Sequence, residues 1–221
     1  MRERGIVILF ISFALSHNMV LYKIPRWIQK ILPSVLWRVE TSDQVVYLTF
    51  DDGPNPEITL WVLDLLDQYQ AKATFFCVGR QLAKHPDMRN ELKSRGHEVG
   101  SHTFSHADAY KISTDDYLQE VSQGAKAAGS ALFRPPYGHL TPWLYIKLKK
   151  KYRIVLWDVM AYDFTSTYDV NALLAELKKN TTPGSIVVFH DNAKAAPQLK
   201  IILPQYLQWL KEKGFSCHKI F

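Results

Sequence analysis

Residues 45–69 read VVYLTFDDGPNPEITLWVLDLLDQY. The first six are apolar, aromatic or β-branched, the residue types that favour extended chain. An unbroken run of this kind suits a strand buried on both faces, as in a parallel sheet. The run stops at Asp51-Asp52, and Gly53, Pro54 and Asn55 are turn formers. From Ile58 to Tyr69 the leucines 60, 63 and 66 recur at helical spacing, with Asp64 and Asp67 turned outward. The stretch is therefore a strand–turn–helix unit with two carboxylates at the strand's carboxyl end. Adjacent side chains on an extended chain point in opposite directions, so the two acids are expected to do different jobs.

The same unit repeats along the chain. Strands are predicted at 45–50, 73–78, 98–101, 132–134, 154–158, 185–190 and 216–220. Helices are predicted at 58–69, 87–95, 114–128, 141–151, 170–179 and 198–213. Ser113 supplies an N-cap, Pro142 a first-turn proline, and Gly96 and Gly214 stop signals. Strand alternating with helix predicts a parallel α/β fold with about seven strands. The chain's 221 residues are enough for one domain with a real core. Composition is globular, with 47% hydrophobic and 22% charged residues and no repeat or low-complexity tract. The net charge of +6 comes largely from scattered lysines such as Lys147, Lys149, Lys150 and Lys151, which read as a solvated helix face, so no nucleic-acid partner is expected. Cys77 and Cys217 make no disulfide framework and do not fix the compartment.

The N-terminus supports two readings. Residues 1–18 have a basic start, an apolar run from Gly5 to Leu15 and small residues near Ala14-Leu15-Ser16, the layout of a secretory signal peptide. Alternatively, translation starts at Met19. The protein is exported or membrane-associated in the first case and cytoplasmic in the second. Residues 19–43 form an amphipathic, basic and aromatic segment, expected to pack on the domain, with peripheral membrane contact as the alternative. The catalytic domain is expected to span 44–221.

The predicted strands end in, or in the case of Ile154–Asp158 lead to, a reactive polar residue: Asp51-Asp52, His102, Arg134, Asp163 and His190. In α/β barrels the active site gathers at the carboxyl ends of the strands. His102 and His106 are four apart, so a helical turn would put both on one face, a spacing that suits a metal. A pair of this kind alone is commonly an ordinary surface or core feature. A carboxylate from a neighbouring strand end completes the three-ligand set of a catalytic zinc-type site. One acid of Asp51-Asp52 would then face the metal and the other a water, from which it takes the proton. His190 sits opposite as a general acid, with Asp163 holding its tautomer and raising its pKa. Arg134 can orient Asp51 through a charge-assisted pair. The rigid turn Pro135-Pro136-Tyr137-Gly138 can aim a backbone N–H at an oxyanion.

These residues resemble the polysaccharide deacetylases, metal-dependent carbohydrate esterases that include chitooligosaccharide and peptidoglycan N-acetylglucosamine deacetylases. The resemblance covers about 44–221. Thr49-Phe-Asp-Asp-Gly-Pro-Asn55 resembles the first family motif, which implies Asp51 as base and Asp52 as metal ligand. His102-Thr-Phe-Ser-His106 resembles the second, which implies both histidines as ligands. Arg134-Pro-Pro-Tyr-Gly138 resembles the third, implying that Arg134 tunes the base, that the Tyr137 N–H stabilises the oxyanion, and that Pro136 and Tyr137 meet substrate. Residues 157–164 resemble the fourth, with Asp163 tuning the acid and Trp157 and Phe164 beside the sugar. Val188-Phe-His190 resembles the fifth, with His190 as acid and Val188 lining the acetyl pocket. Met160, Phe164 and Val188 depart from the usual Asp, Trp and Leu, which bears on sugar preference and leaves the metal and proton-transfer groups intact.

The resemblance implies a distorted, incomplete β/α barrel and a divalent metal cofactor, zinc first, with cobalt, manganese or nickel as alternatives. It implies a hydrolase that removes N-acetyl groups from an acetylated amino-sugar polysaccharide or oligosaccharide by metal-activated water. Two alternatives keep the chemistry and change the substrate: O-acetyl-xylan, or a lipid-linked amino sugar that is deformylated. A non-enzymatic alternative is a carbohydrate-binding pseudoenzyme, which a missing ligand, base or acid would favour; none is missing. No oligomer interface is readable, so a monomer is expected.

Overall fold

The structure is a computed structural model that describes residues 22–165 and 168–221. β1 (Val45–Asp51) lies between β2 (Ala73–Cys77) and β7 (Ile186–His190), parallel to both. β3 (Glu98–Ser101), β4 (Leu132–Phe133) and β5 (Arg153–Ile154) continue beyond β2, and β6 (Val159–Met160) lies outside β7. The order is β5-β4-β3-β2-β1-β7-β6, and every pairing is parallel. β8 (Ser216–Cys217) adds to the start of β1. Helices α2 (Pro56–Gln68), α5 (Thr114–Ala128), α6 (Pro142–Leu148), α7 (Val170–Asn180) and α8 (Ala196–Glu212) make the connections.

The expected strand over 154–158 is divided. Arg153–Ile154 is one edge of the sheet, Val159–Met160 is the other, and residues 155–158 cross between them. An extended chain covers at most roughly 3.3–3.6 Å per residue, so four residues can join the two edges only if the sheet curls round on itself. The result is a distorted, incomplete (β/α) barrel, and β5 to β6 is the one step made without a helix.

The segment from residue 22 to 39 lies along that seam. Leu36 bridges to Val155 in parallel, while Lys23 and Arg38 bridge antiparallel to Val159 and Ser185. Its apolar side chains Ile24, Ile28, Leu32, Val35 and Trp37 are buried in the common core, with a single turn, α1 (Arg26–Gln29), in the middle. These five side chains face the core, while Trp27 of the same segment is 56% exposed. The signal-peptide reading of residues 1–18 falls outside the described residues, among which no helix is long and apolar enough to cross a membrane.

Three further elements differ from expectation, one being the final strand, which ends at Cys217 rather than at residue 220. A short helix, α3 (Gly79–Lys84), precedes α4 (Pro86–Ser94) and had no readable apolar period. The helix expected to reach residue 151 stops at Leu148. The caps follow the sequence: Asn55 accepts from the Glu57 and Ile58 amides, so α2 starts directly after the Asp-Asp-Gly-Pro turn, and Ser113 caps α5.

Candidate active site

The register of β1 and β7 builds the floor. Thr49 pairs with Val188 and Asp51 with His190. Residues two apart on a strand share a face, so these four side chains point to one side of the sheet. Arg134, directly after β4, is fully buried beneath them. Its Nη1 donates to Asp51 Oδ1 and to Thr49 Oγ1, each at 2.7 Å, and its Nη2 and Nε donate to the carbonyls of Leu156 and Val155. The guanidinium lies 4.1 Å from the centre of the Phe76 ring and 5.8 Å from that of Trp157. Asp51 is only 3% exposed. Its Oδ1 is committed to Arg134, which leaves Oδ2 to take a proton.

At Asp52 the backbone turns left-handed, with φ 78°. The side chain meets His106 Nε2 at 3.0 Å and His102 Nε2 at 3.6 Å. Gly53 makes this turn feasible: a Cβ there would lie 2.1 Å from Asp191 Oδ2. Asp191 is buried, accepts from the Gly53 amide and the Thr59 hydroxyl, and has its carboxyl pushed up to about 7 by burial. Asn192 donates to Asp52 Oδ2 at 2.6 Å. Neither Asp191, Asn192 nor Thr49 was singled out in the sequence, although the polar pair directly after His190 was a readable signal for the first two.

His102 and His106 do converge, but not on the expected helical turn. Residues 102–106 form a non-helical loop with positive φ at Thr103 and His106. Glu120 of α5 accepts from the Phe104 and Ser105 amides, and Gly79 and Arg80 donate to the Thr103 and Phe104 carbonyls. Gly124 lets α5 pack against this loop, since a Cβ there would lie 2.5 Å from the Thr103 carbonyl carbon. Left-handed residues recur around the site at Asp52, Thr103, His106, Tyr137 and Tyr162. Each such non-glycine residue costs on the order of 1–3 kcal/mol, strain that collects at functional sites.

The donor chemistry of the trio fits a divalent cation. One ligand atom from each of Asp52, His102 and His106 lies within 4.8 Å of the others. His102 Nδ1 lies 2.8 Å from the Arg134 carbonyl, which can only accept, so the proton sits on Nδ1 and the Nε2 lone pair faces Asp52. Burial lowers the His102 pKa to about 4, against the opposing charge of Asp51, so the ring is neutral near pH 7. Burial pushes the Asp52 carboxyl up, but the His106 hydrogen bond and the charges of His190, His102 and His106 outweigh it and hold it well below the usual range.

His190 lies across the floor. Asp163 accepts from its ring Nδ1 and from its backbone amide, both at 2.8 Å. Burial would lower the His190 pKa; the Asp163 charge and hydrogen bond, helped by Asp52 and Asp51, raise it to about 9. The Phe164 ring meets His190 edge-on at 4.9 Å, and the half-exposed Tyr137 ring meets His106 at 4.8 Å. Pro136 and Val188 are buried. Trp157, expected beside the sugar, is 6% exposed and lies under Gly138, supporting the loop from below.

The polysaccharide deacetylase family model matches residues 38–154, which takes in Asp51, Asp52, His102, His106, Arg134 and Tyr137 and ends before Asp163 and His190. The chain is 33% identical over 189 residues to a peptidoglycan-N-acetylglucosamine deacetylase of Bacillus cereus, covering 82% of this chain and 88% of the relative. It is 32% identical over 194 residues to a chitooligosaccharide deacetylase of a Bradyrhizobium species, covering 79% and 88%. Among solved structures, the Bc1960 peptidoglycan N-acetylglucosamine deacetylase superposes with a TM-score of 0.79 at 28% identity, over 88% of this chain and 94% of that one. With the fold, the motif residues and these relatives in agreement, the chain belongs to the polysaccharide deacetylase family.

Proposed function

We propose that the protein is a divalent-metal-dependent hydrolase that removes N-acetyl groups from an amino-sugar polymer or oligomer, of the peptidoglycan or chitooligosaccharide kind on which its relatives are named to act. The observation that carries this reading is the pairing of two separately anchored acids. Asp51 is fixed by Arg134, while Asp52 is turned towards two imidazole nitrogens.

Asp52, His102 and His106 would hold the cation. Zinc suits this donor set, and cobalt, manganese and nickel are the other candidates. Such an ion supplies Lewis acidity at the amide carbonyl and lowers the pKa of a water beside Asp51. Arg134 holds Asp51 in place, so that Oδ2 can take the proton of that water. The Tyr137 amide, which lies in a left-handed turn, would donate to the oxyanion. His190, held protonated by Asp163, gives its proton to the departing amine. Phe164 and Tyr137, which meet His190 and His106 edge-on, would face the sugar, and Val188 lies two residues before His190 on the same face, where the acetyl methyl would come.

The test is acetate release from acetylated chitooligosaccharides, peptidoglycan and acetylxylan, with and without chelation. Release from the N-acetylated substrates, stopped by EDTA and restored by zinc or cobalt, is the expected result. Full activity after thorough chelation overturns the metal assignment. Release from acetylxylan alone overturns the amide substrate.

A further inference from the structure

A row of rings leads outward from the candidate metal ligands. Tyr137 lies 4.8 Å from His106, His139 lies 5.4 Å from Tyr137, and Tyr110 stacks on His139 at 4.3 Å with the planes 28° apart. The last two rings are locked together from below. Asp108 Oδ1 accepts from His139 Nδ1 at 2.7 Å and from the Tyr110 backbone amide at 3.0 Å, so one carboxylate orients both partners of the stack. Tyr110 nevertheless remains 43% exposed and Tyr137 51% exposed. Large aromatic rings are costly to leave at a surface, and a rigid, hydrogen-bonded stack loses little conformational freedom when something packs on it. His139 Nε2 is the remaining polar atom of that ring and can meet a hydroxyl.

The geometry points to the Tyr110–His139 stack as a saccharide subsite, taking a neutral amino-sugar unit of the same chain that lies two or more places from the unit reacting at Asp51 and Asp52, beyond the reach of a dimer. The apolar C–H face of a pyranose packs on Tyr110 and its hydroxyl edge reaches His139. This rests on the proposed function, because continuity with that site is what names the occupant. The subsite makes the protein a reader of chain length: substrates too short to reach Tyr110 gain nothing from it.

The test compares Tyr110→Ala and Tyr110→Phe with the parent enzyme on N-acetylglucosamine dimer, tetramer and hexamer. We expect kcat/KM of the parent to rise with length. Tyr110→Ala should lose about tenfold on the hexamer, mostly through KM, as removal of one aromatic contact implies. It should keep the parental rate on the dimer, and Tyr110→Phe should restore the length dependence. Calorimetric titration of the hexamer into Asp51→Asn, with and without Tyr110→Ala, reads the same contact without turnover. If the parent releases no acetate from any of these oligomers or from peptidoglycan, the proposed function fails, while the titration still decides the subsite. Equal losses on dimer and hexamer, unchanged hexamer binding in Tyr110→Ala, or no hexamer binding at all overturns it.

Discussion

Asp51 and Asp52 are chemically identical and adjacent, and the fold gives them different environments. Asp51 ends β1 in regular extended geometry and points to the buried guanidinium of Arg134; Asp52 begins the turn at φ 78° and points to imidazoles. We expect Asp51→Asn to retain stoichiometric zinc in a binding titration while losing roughly 10²–10⁴-fold in kcat, the usual scale for a general base. Asp52→Ala should lose the metal itself. Metal loss in Asp51→Asn, or a wild-type rate, would reverse the assignment. His190 supplies the pH dependence. Its raised pKa keeps it protonated through neutrality, and its deprotonation sets the alkaline limb of the kcat/KM profile. Asp163→Asn removes the charge that raises it, so the limb should move to lower pH, towards the roughly 6.5 of an ordinary histidine. A cation on Asp52 disfavours the imidazolium in both proteins, so the readout is the separation between the two profiles. Coincident alkaline limbs would rule His190 out as the acid.

At the scale of elements, the ligands are held by parts that never touch the metal site. The 102–106 loop has no helical hydrogen bonds of its own, and Glu120 on α5 ties it down through two amides. Glu120→Ala should therefore weaken zinc binding about 10–100-fold, the usual effect of removing a group that supports a ligand. The folded state should survive, as checked by zinc competition with a chromophoric chelator alongside circular dichroism. Unchanged affinity would mean that Gly124 and the α3 amides suffice to hold the loop. This dependence on α5 also explains what could and could not be read in advance. The long apolar strands and the capped helices were legible because burial imposes period and capping imposes residue type at fixed offsets, as at Ser113. The five chemical segments were legible because each sits where an apolar run ends. The 102–106 loop looked like a helical turn because histidines four apart match that period; left-handed backbone at Thr103 and His106 reaches the same convergence and leaves no mark in a sequence of non-glycine residues. Trp157 was read by its type, and its place under Gly138 depends on a contact between separate loops. Asp191 and Asn192 stand out as a polar pair after His190, but their partners Gly53 and Asp52 are set only when β7 is laid beside β1.

The whole molecule is a barrel whose seam is covered by its own N-terminal segment, and one buried charge cluster ties that segment down. Arg38 lies 3.5 Å from Asp158, with both side chains almost wholly buried, and it also donates to the Pro183 carbonyl. Asp158 in turn accepts from the Ser185 hydroxyl and the Ile186 amide at the start of β7. Burial pushes the Asp158 carboxyl up to about 6, with Arg38 and Lys23 opposing. A carboxyl whose folded pKa exceeds its unfolded value of about 3.9 holds its proton more tightly in the folded state. Its contribution to stability is therefore fully present below about pH 4 and is lost as pH rises towards 6; above that, the ionised group is a cost that Arg38 offsets. Arg38→Ala leaves that charge uncompensated, which should lower stability by about 3 kcal/mol at pH 8. At pH 5 Asp158 is protonated in the folded variant, and the loss should be clearly smaller. Urea unfolding at the two pH values measures the difference. The cluster lies at the amino ends of the strands, across the barrel from Asp51, so the folded fraction of Arg38→Ala should keep the parental kcat. A loss of equal size at both pH values would show that Arg38 acts through its contact with Pro183, and that Asp158 is not what holds the seam.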